Sequence, residues 1–264
     1  AGEWQYKGSV LNTDYGIVAH NPNVYYSTLY NSMINPLVGF RIKGTIWYQG
    51  ENNVWNALSY RTLFPNLIRN WRNKWGYDFP FYWVQLADFM AEDTLPAESQ
   101  WAELREAQTM TLSQPRTGQA VIIDIGNAND IHPRNKQDVG LRLALQALHE
   151  EYGRTGTVCS GPTFISARFV DGHTEVTFDT PASKLIVRDK YGYIRGFAVA
   201  GEDRIFHWAK AWIEDGKVIV KSDAVTVPVA LRYAWANNPQ SNLFNAAGLP
   251  AGPFRTDDWP GITQ

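Results

Sequence analysis

The sequence predicts an α/β protein: a parallel sheet with helices on both faces, followed by an antiparallel β-rich region. Two patterns carry this reading. Up to about residue 154, short apolar runs alternate with long stretches of helical periodicity, which implies crossover connections between parallel strands. Beyond about residue 155, short strand-like runs follow one another with only turn pairs between them, the pattern of antiparallel strands. The expected division is 1–154 and 155–264. With 264 residues and 44% hydrophobic content, the chain can bury an ordinary core.

The elements follow in order. Residues 1–36 are turn-rich and polar, with Gly2, Gly8, Gly16, Pro22 and Pro36 and a short helical candidate over 26–34. IKGTIWYQG (42–50) has an apolar centre and ends in a glycine turn, the mark of a buried strand. From Tyr60, apolar residues at 60, 63, 64, 67, 68, 71 and 75 recur at helical spacing, and Gly76 follows as a cap. FPFYWVQLA (79–87) reads as a second strand, WAELREAQTMTL (101–112) as a second helix and AVIIDIG (120–126) as a third strand. NKQDVGLRLALQALHEEYG (135–153) gives a third helix with Gly153 past its end. TEVTF (174–178), KLIVR (184–188), GFAVAG (196–201) and KVIVKS (217–222) read as antiparallel strands.

Charge narrows the functions. Lys plus Arg number 24 against 26 for Asp plus Glu, so no net field gathers a phosphate backbone or an anionic membrane surface. No apolar run approaches the roughly 18 residues of a membrane span. Neither nucleic acid nor membrane is an expected partner. Cys159 is the only cysteine and no Cys/His cluster has zinc spacing, so neither an internal disulfide nor a metal or other cofactor is expected. The 11 Trp and 13 Tyr exceed what a core usually needs, and amphipathic rings suit sugar faces as well as cores.

In an open parallel sheet, functional groups gather outside the carboxyl ends of the strands. Three polar clusters fall there: Gln49-Gly50-Glu51-Asn52-Asn53 after the first strand, Gln85 with Asp88 after the second, and Asp124 to His132 after the third. His132 has Asn129 and Asp130 just before it and Pro133 after it, where a helix is expected to start. A histidine held beside a carboxylate can be kept in one tautomer and act as a general base. His20, His149, His173 and His207 read as surface or structural. The amides of the first cluster could face a developing oxyanion.

Taken together, LYNSMINPL (29–37), IKGTIWYQGENN (42–53), FPFYWVQLADF (79–89), WAELREAQ (101–108), DIHPRNKQDVGLRLAL (130–145) and RYAWANNPQSNLFNAAGLPAGPFRTD (232–257) resemble the sialate O-acetylesterase family of the SGNH hydrolases. The resemblance implies a flavodoxin-like three-layer fold and a serine that attacks an acetyl ester on a sugar while a histidine takes its proton. Carried over by position, His132 is the base, Gln49, Gly50, Glu51, Asn52 and Asn53 form the oxyanion and substrate loop, and Arg105 helps shape the pocket.

The chain departs from the family in two places. SGNH enzymes carry Asp three places before the histidine; here Asn129 stands there and Asp130 is one residue closer, so either Asp130 or another acceptor orients the ring. The family's GQSNM-like serine block has no counterpart, and Ser32 in YNSMI aligns with a different block. The expectation is an incomplete parallel sheet without its first strands. The serine would then come from the N-terminal half of the same protein or from a second chain. The implied substrate is an acetylated carbohydrate, and the protein is expected to be secreted or periplasmic. The rival readings are a non-catalytic carbohydrate-binding relative, a glycosidase using Glu51 with Asp124 or Asp130, and a metal hydrolase using Asp124, Asp130 and His132.

Overall fold

Three parallel strands, β1 (Thr45–Trp47), β2 (Phe81–Val84) and β3 (Thr117–Ala120), pair side by side in chain order. They belong to a computed structural model that describes residues 27–170, 172–180 and 183–263. The turn-rich reading of Gly2 to Pro22, with His20, lies outside the described residues.

All four residues of β2 are buried, as expected of a central strand covered on both faces. Alternation sends Phe81 and Trp83 to one face, where they meet Tyr60, Phe64 and Ile68 of α1 (Ala57–Trp75) and Leu104 and Ala107 of α2 (Gln100–Met110). Tyr82 and Val84 face the other way, onto Val139 and Leu143 of α3 (Lys136–Glu150). The result is the expected three-layer arrangement, two helices below the sheet and one above. Phe64 stands edge-on to Trp83 at 5.1 Å, and burying such a ring is worth roughly 1.5–3 kcal/mol. Gly76 ends α1 in the left-handed region at φ 76, donating its N–H to the Arg72 carbonyl. Ser99 caps α2 by accepting from the Ala102 N–H, and Asn135 caps α3 by accepting from Asp138.

Two expectations about element boundaries are corrected. The third strand is Thr117–Ala120 rather than 120–126. Past Ala120, side chains occupy the backbone groups that would continue the ladder. The Leu86 N–H donates to Gln108, and the Leu86 carbonyl accepts from Arg105. The Val121 carbonyl accepts from Arg142. Ile122 and Ile123 are nonetheless buried, which is why the apolar run reads as a strand. Pro133 does not start the third helix; it is buried ahead of the Asn135 cap, and the helix begins at Lys136.

The antiparallel part holds two four-stranded sheets and a two-stranded ribbon. The first sheet runs β4 (Thr163–Val170), β5 (His173–Asp179), β10 (Lys217–Lys221), β9 (Lys210–Glu214). The second runs β13 (Phe254–Arg255), β11 (Ala230–Tyr233), β7 (Phe197–Ala200), β8 (His207–Trp208), and β12 (Leu243–Asn245) pairs with β6 (Leu185–Val187). Val176, Val218 and Val220 share a core with Phe197, Leu231 and Tyr233. The four runs read as strands correspond to β5, β6, β7 and β10. The others escape because their faces do not alternate cleanly: β11 carries Arg232, buried and paired with Asp257 and Glu98 at 2.9 and 2.8 Å.

This second part grips α2. Glu106 binds Arg255 at 2.8 and 3.0 Å, and Glu103 accepts from the Ile262 and Thr263 N–H groups at 2.7 and 3.2 Å. At the far side of the parallel sheet, β1 pairs only with β2 among the described residues, and its Ile46 is 70% exposed.

Candidate active site

The loops after β1, β2 and β3 meet at the carboxyl rim of the parallel sheet. Asp88 accepts the Gly126 N–H at 2.6 Å, and the Met90 N–H donates to the Ala128 carbonyl at 3.1 Å, joining the second loop to the third. Ile131, on the third loop, packs on the core shared by α1, α2 and β2. Lys136, in the first turn of α3, places its ammonium 4.6 Å from the centre of the Tyr48 ring.

The first loop is built around Gly50, at φ +149. A Cβ there would lie 3.1 Å from Leu104 and 3.2 Å from the Gln108 amide, so the position needs glycine both for its backbone and for the close approach of α2. Glu51–Asn56 then form a short 3-10 turn leading into α1. Gln49 donates to Asn53 Oδ1 at 2.7 Å and accepts from the Tyr60 hydroxyl at 3.1 Å. Burial pushes the Tyr60 pKa up to about 12, which keeps it a protonated donor. The chain of bonds from Tyr60 to Gln49 to Asn53 holds Asn53 by its carbonyl oxygen. Glu51 and Asn53 are half-buried and Asn52 is exposed.

His132 presents its imidazole to solvent, the side chain 87% exposed. Its Nδ1 lies 3.6 Å from Asp130 Oδ1, beyond hydrogen-bond length. The same oxygen accepts the His132 backbone N–H at 2.9 Å, so Asp130 holds the loop at this residue and leaves the ring free to turn. Asn129 donates its backbone N–H to Asn127 Oδ1.

Arg105 supports the rim from beneath. Fully buried, it donates to the carbonyls of Leu86, Ala87, Ala236 and Asn237 at 2.6 to 3.0 Å. Burial lowers its pKa to about 9 while the nearby Asp88 opposes the drop. Its guanidinium shapes the loop after β2 and offers nothing to a substrate at the surface. Burial also raises the pKa of Asp88, against the Gly126 hydrogen bond. Gln85 is buried and donates to Thr109 at 2.9 Å.

Asp124 is not available as an acid or base: Arg142 clasps both its oxygens, and both side chains are 9% exposed. This removes the pairing of Glu51 with Asp124 from the glycosidase reading. Among the described residues, His149, Glu150 and Cys159 form the one group of three or more His, Cys, Asp or Glu side chains with ligand atoms within 4.8 Å of one another. That group sits at the far end of α3, so Asp124, Asp130 and His132 do not gather as metal ligands. His173 stands near Glu175, His207 opens β8, and Ser32 is exposed in a helical turn over Tyr30–Ile34.

Gln108 is the residue that sequence reasoning missed. Fully buried, it accepts the Leu86 N–H at 3.0 Å and donates to the Gln49 and Val84 carbonyls at 3.4 Å, tying the first two loops together. The signal was present, since Gln108 lies four residues after Leu104 on the same helix face, a polar residue where the pattern calls for an apolar one.

The family model for carbohydrate esterases, described as sialic acid-specific acetylesterase, matches residues 10–149. Sialate O-acetylesterase from Mus musculus is 30% identical over 259 residues, 87% of this chain and 47% of its own. The Homo sapiens enzyme of the same name is 30% identical over 271 residues, 89% of this chain and 50% of its own. A crystal structure of a carbohydrate acetylesterase from Xanthomonas citri is 52% identical with a TM-score of 0.82, covering 88% of this chain and 54% of that one. The chain therefore spans about half the length of the relatives it matches. On the strength of the matched model and of relatives that align along most of its length, this chain belongs to the carbohydrate esterase family of sialic acid-specific acetylesterases.

Proposed function

We propose that the protein removes O-acetyl groups from sugars, with His132 as the general base and the nucleophilic serine contributed by a segment outside this chain. The N-terminal half of the same protein, or a second chain, would bring that serine alongside β1. The observation that carries the reading is the rim geometry: a solvent-open imidazole on the loop after β3, at the same carboxyl rim as the Gln49–Asn53 loop after β1. Among the described residues β1 is paired on one side only, as the edge of a sheet awaiting further strands would be.

In the proposed reaction the serine oxygen attacks the acetyl carbonyl carbon while His132 takes the serine proton. The oxyanion so formed accepts from Asn53 and from neighbouring backbone N–H groups, each such donor being worth about 3 kcal/mol of barrier. Collapse breaks the bond to the sugar oxygen, which leaves with the proton from His132. Water, deprotonated by the same ring, then releases acetate and restores the serine. The 3.6 Å gap to Asp130 makes this a Ser-His pair until a substrate or the missing segment turns the ring. Because acetylated glycans are largely extracellular, export follows as part of the same proposal.

The test is hydrolysis of an O-acetylated sugar by the protein joined to its serine-bearing segment. His132→Ala should lower kcat by about a thousandfold or more, and Asn53→Ala by about a hundredfold. Full turnover in His132→Ala would reject the assignment. Full turnover by the 264-residue chain alone would reject the external serine.

A further inference from the structure

The last turn of α3 carries Gln146, His149 and Glu150, spaced i, i+3 and i+4 and so placed on one helix face. The chain then turns back through Gly153, at φ 65, toward Cys159. On the way the Arg154 N–H donates to the Leu148 carbonyl at 2.9 Å, and the Thr157 N–H donates to the Arg154 carbonyl at 2.8 Å. Gln146, buried, donates to the Cys159 carbonyl at 2.8 Å and to the Gln119 carbonyl at 3.2 Å. The backbone that presents Cys159 is thereby tied both to α3 and to β3.

This winding brings one donor atom each from His149, Glu150 and Cys159 within 4.8 Å of one another. Two further features set the cluster apart from a chance gathering. First, His149 Nδ1 lies 2.8 Å from the Thr157 carbonyl oxygen. A carbonyl only accepts, so Nδ1 carries the proton, and in the neutral ring Nε2 keeps a bare lone pair. Metal-binding histidines are oriented in this way, with the other nitrogen given to a backbone carbonyl or carboxylate. Here Nε2 stands 3.9 Å from Glu150 Oε1.

Second, Tyr82 is 4% exposed and its hydroxyl is buried with no hydrogen-bond partner among the described residues. A Cβ on Gly118 would lie 2.6 Å from Gln146 Oε1 and 2.9 Å from Tyr82 Cδ1, so the Tyr82 ring and the Gln146 amide close together over β3. Burial first, then the charges of Glu151, Glu150 and Cys159 against that of Arg116, push the Tyr82 pKa up to about 12. The side chain is therefore an intact hydroxyl within electrostatic reach of the cluster, available to a water held there.

The donor set selects the ion. Thiolate and imidazole suit zinc, whereas magnesium and calcium take mostly oxygen ligands. Zinc holds sulfur at about 2.3 Å and nitrogen or oxygen at about 2.0–2.2 Å, so the three donors would draw in by about 1 Å around it. Glu150, exposed at the helix end, has the freedom to swing inward. Three protein ligands leave the fourth tetrahedral position to water. Cys159 also lines a cavity of about 390 Å³ with Ser160 and Gly161, which gives the ion and its water a way in. Uptake displaces the thiol proton of Cys159 to solvent.

We propose that His149 Nε2, the Glu150 carboxylate and the Cys159 thiolate bind one zinc ion that staples the end of α3 to the segment entering the antiparallel part. Next to Cys159, the Ser160 carbonyl accepts from Asn245 of β12 at 2.9 Å, so the ion sits where the two parts of the chain join. The site lies at the opposite end of α3 from the His132 loop, and the proposal is independent of the esterase reading.

The test is calorimetric titration of untagged, reduced and chelator-stripped protein with zinc chloride, alongside its melting temperature. One ion per chain and a higher melting temperature are expected. Affinity should fall tenfold or more in His149→Ala and in Cys159→Ser and stay unchanged in His173→Ala, whose imidazole stands beside Glu175 in the antiparallel part. His149 and Cys159 are only half-buried, so both variants should keep the parent's circular dichroism. Cobalt in place of zinc should show a thiolate-to-metal charge-transfer band that Cys159→Ser removes. No zinc binding, binding that survives both substitutions, or a cobalt spectrum without the thiolate band overturns the proposal.

Discussion

Asp124 and Arg142 face each other fork to fork, Nη1 to Oδ1 at 2.5 Å and Nη2 to Oδ2 at 2.8 Å, in a pocket where each side chain is 9% exposed. The same guanidinium reaches the Val121 carbonyl at 2.6 Å. The pair thus fastens α3 to the base of the loop that leads to His132. Removing one partner strands the other as a buried charge. Arg142→Ala should cost about 3–5 kcal/mol of stability, read from the urea midpoint, and a loss below about 1 kcal/mol would show that the carboxylate finds water instead.

Gly50 is the tightest point of the first loop. An added methyl at φ +149 would press on Leu104 and Gln108 at 3.1 and 3.2 Å. Gly50→Ala should destabilise by about 1–3 kcal/mol and lower turnover by displacing Asn53. An unchanged melting temperature would show that the loop relaxes freely.

Arg105 serves four carbonyls with one planar fork. Lysine has a single ammonium that cannot span them. Arg105→Lys should therefore behave much like Arg105→Ala, each losing about 3 kcal/mol or more, in denaturant titrations. Rescue by lysine would mean that charge alone matters there.

Asp88 should make stability fall as pH rises. Burial raises its folded pKa above the ordinary 3.8, so between those two values the folded state binds more protons than the unfolded state. Stability from this group is greatest below 3.8 and declines through that window. Asn keeps an oxygen for the Gly126 N–H and removes the charge. The stability of Asp88→Asn relative to the parent should therefore grow from acid pH toward neutrality, and a pH-independent difference would refute this origin.

Much of the site could be read from sequence because local rules applied. The Gly76 cap, the helical spacing from Tyr60 and the buried apolar run of β2 each depend on neighbours along the chain, and the structure matches them. The residues Gln49 to Asn53 and Asp124 to His132 lie in loops after strands, where polar clusters in an α/β sheet are expected to meet. The third strand was misplaced because Ile122 and Ile123 are buried without being paired. An apolar run reports burial, and periodicity alone does not say which backbone groups are bonded.

What the sequence determined by itself is the order of elements, the two-part texture and the identity of the groups able to do chemistry, since all of these follow from side-chain pattern and residue type. Only the tertiary structure decided what each group touches. It placed Asp124 in an ion pair, Arg105 under the rim and Gln108 between two loops. The physical reason is that hydrogen bonds and ion pairs act over a few ångströms in space, while their partners here lie as far apart as Arg105 and Asn237 in sequence.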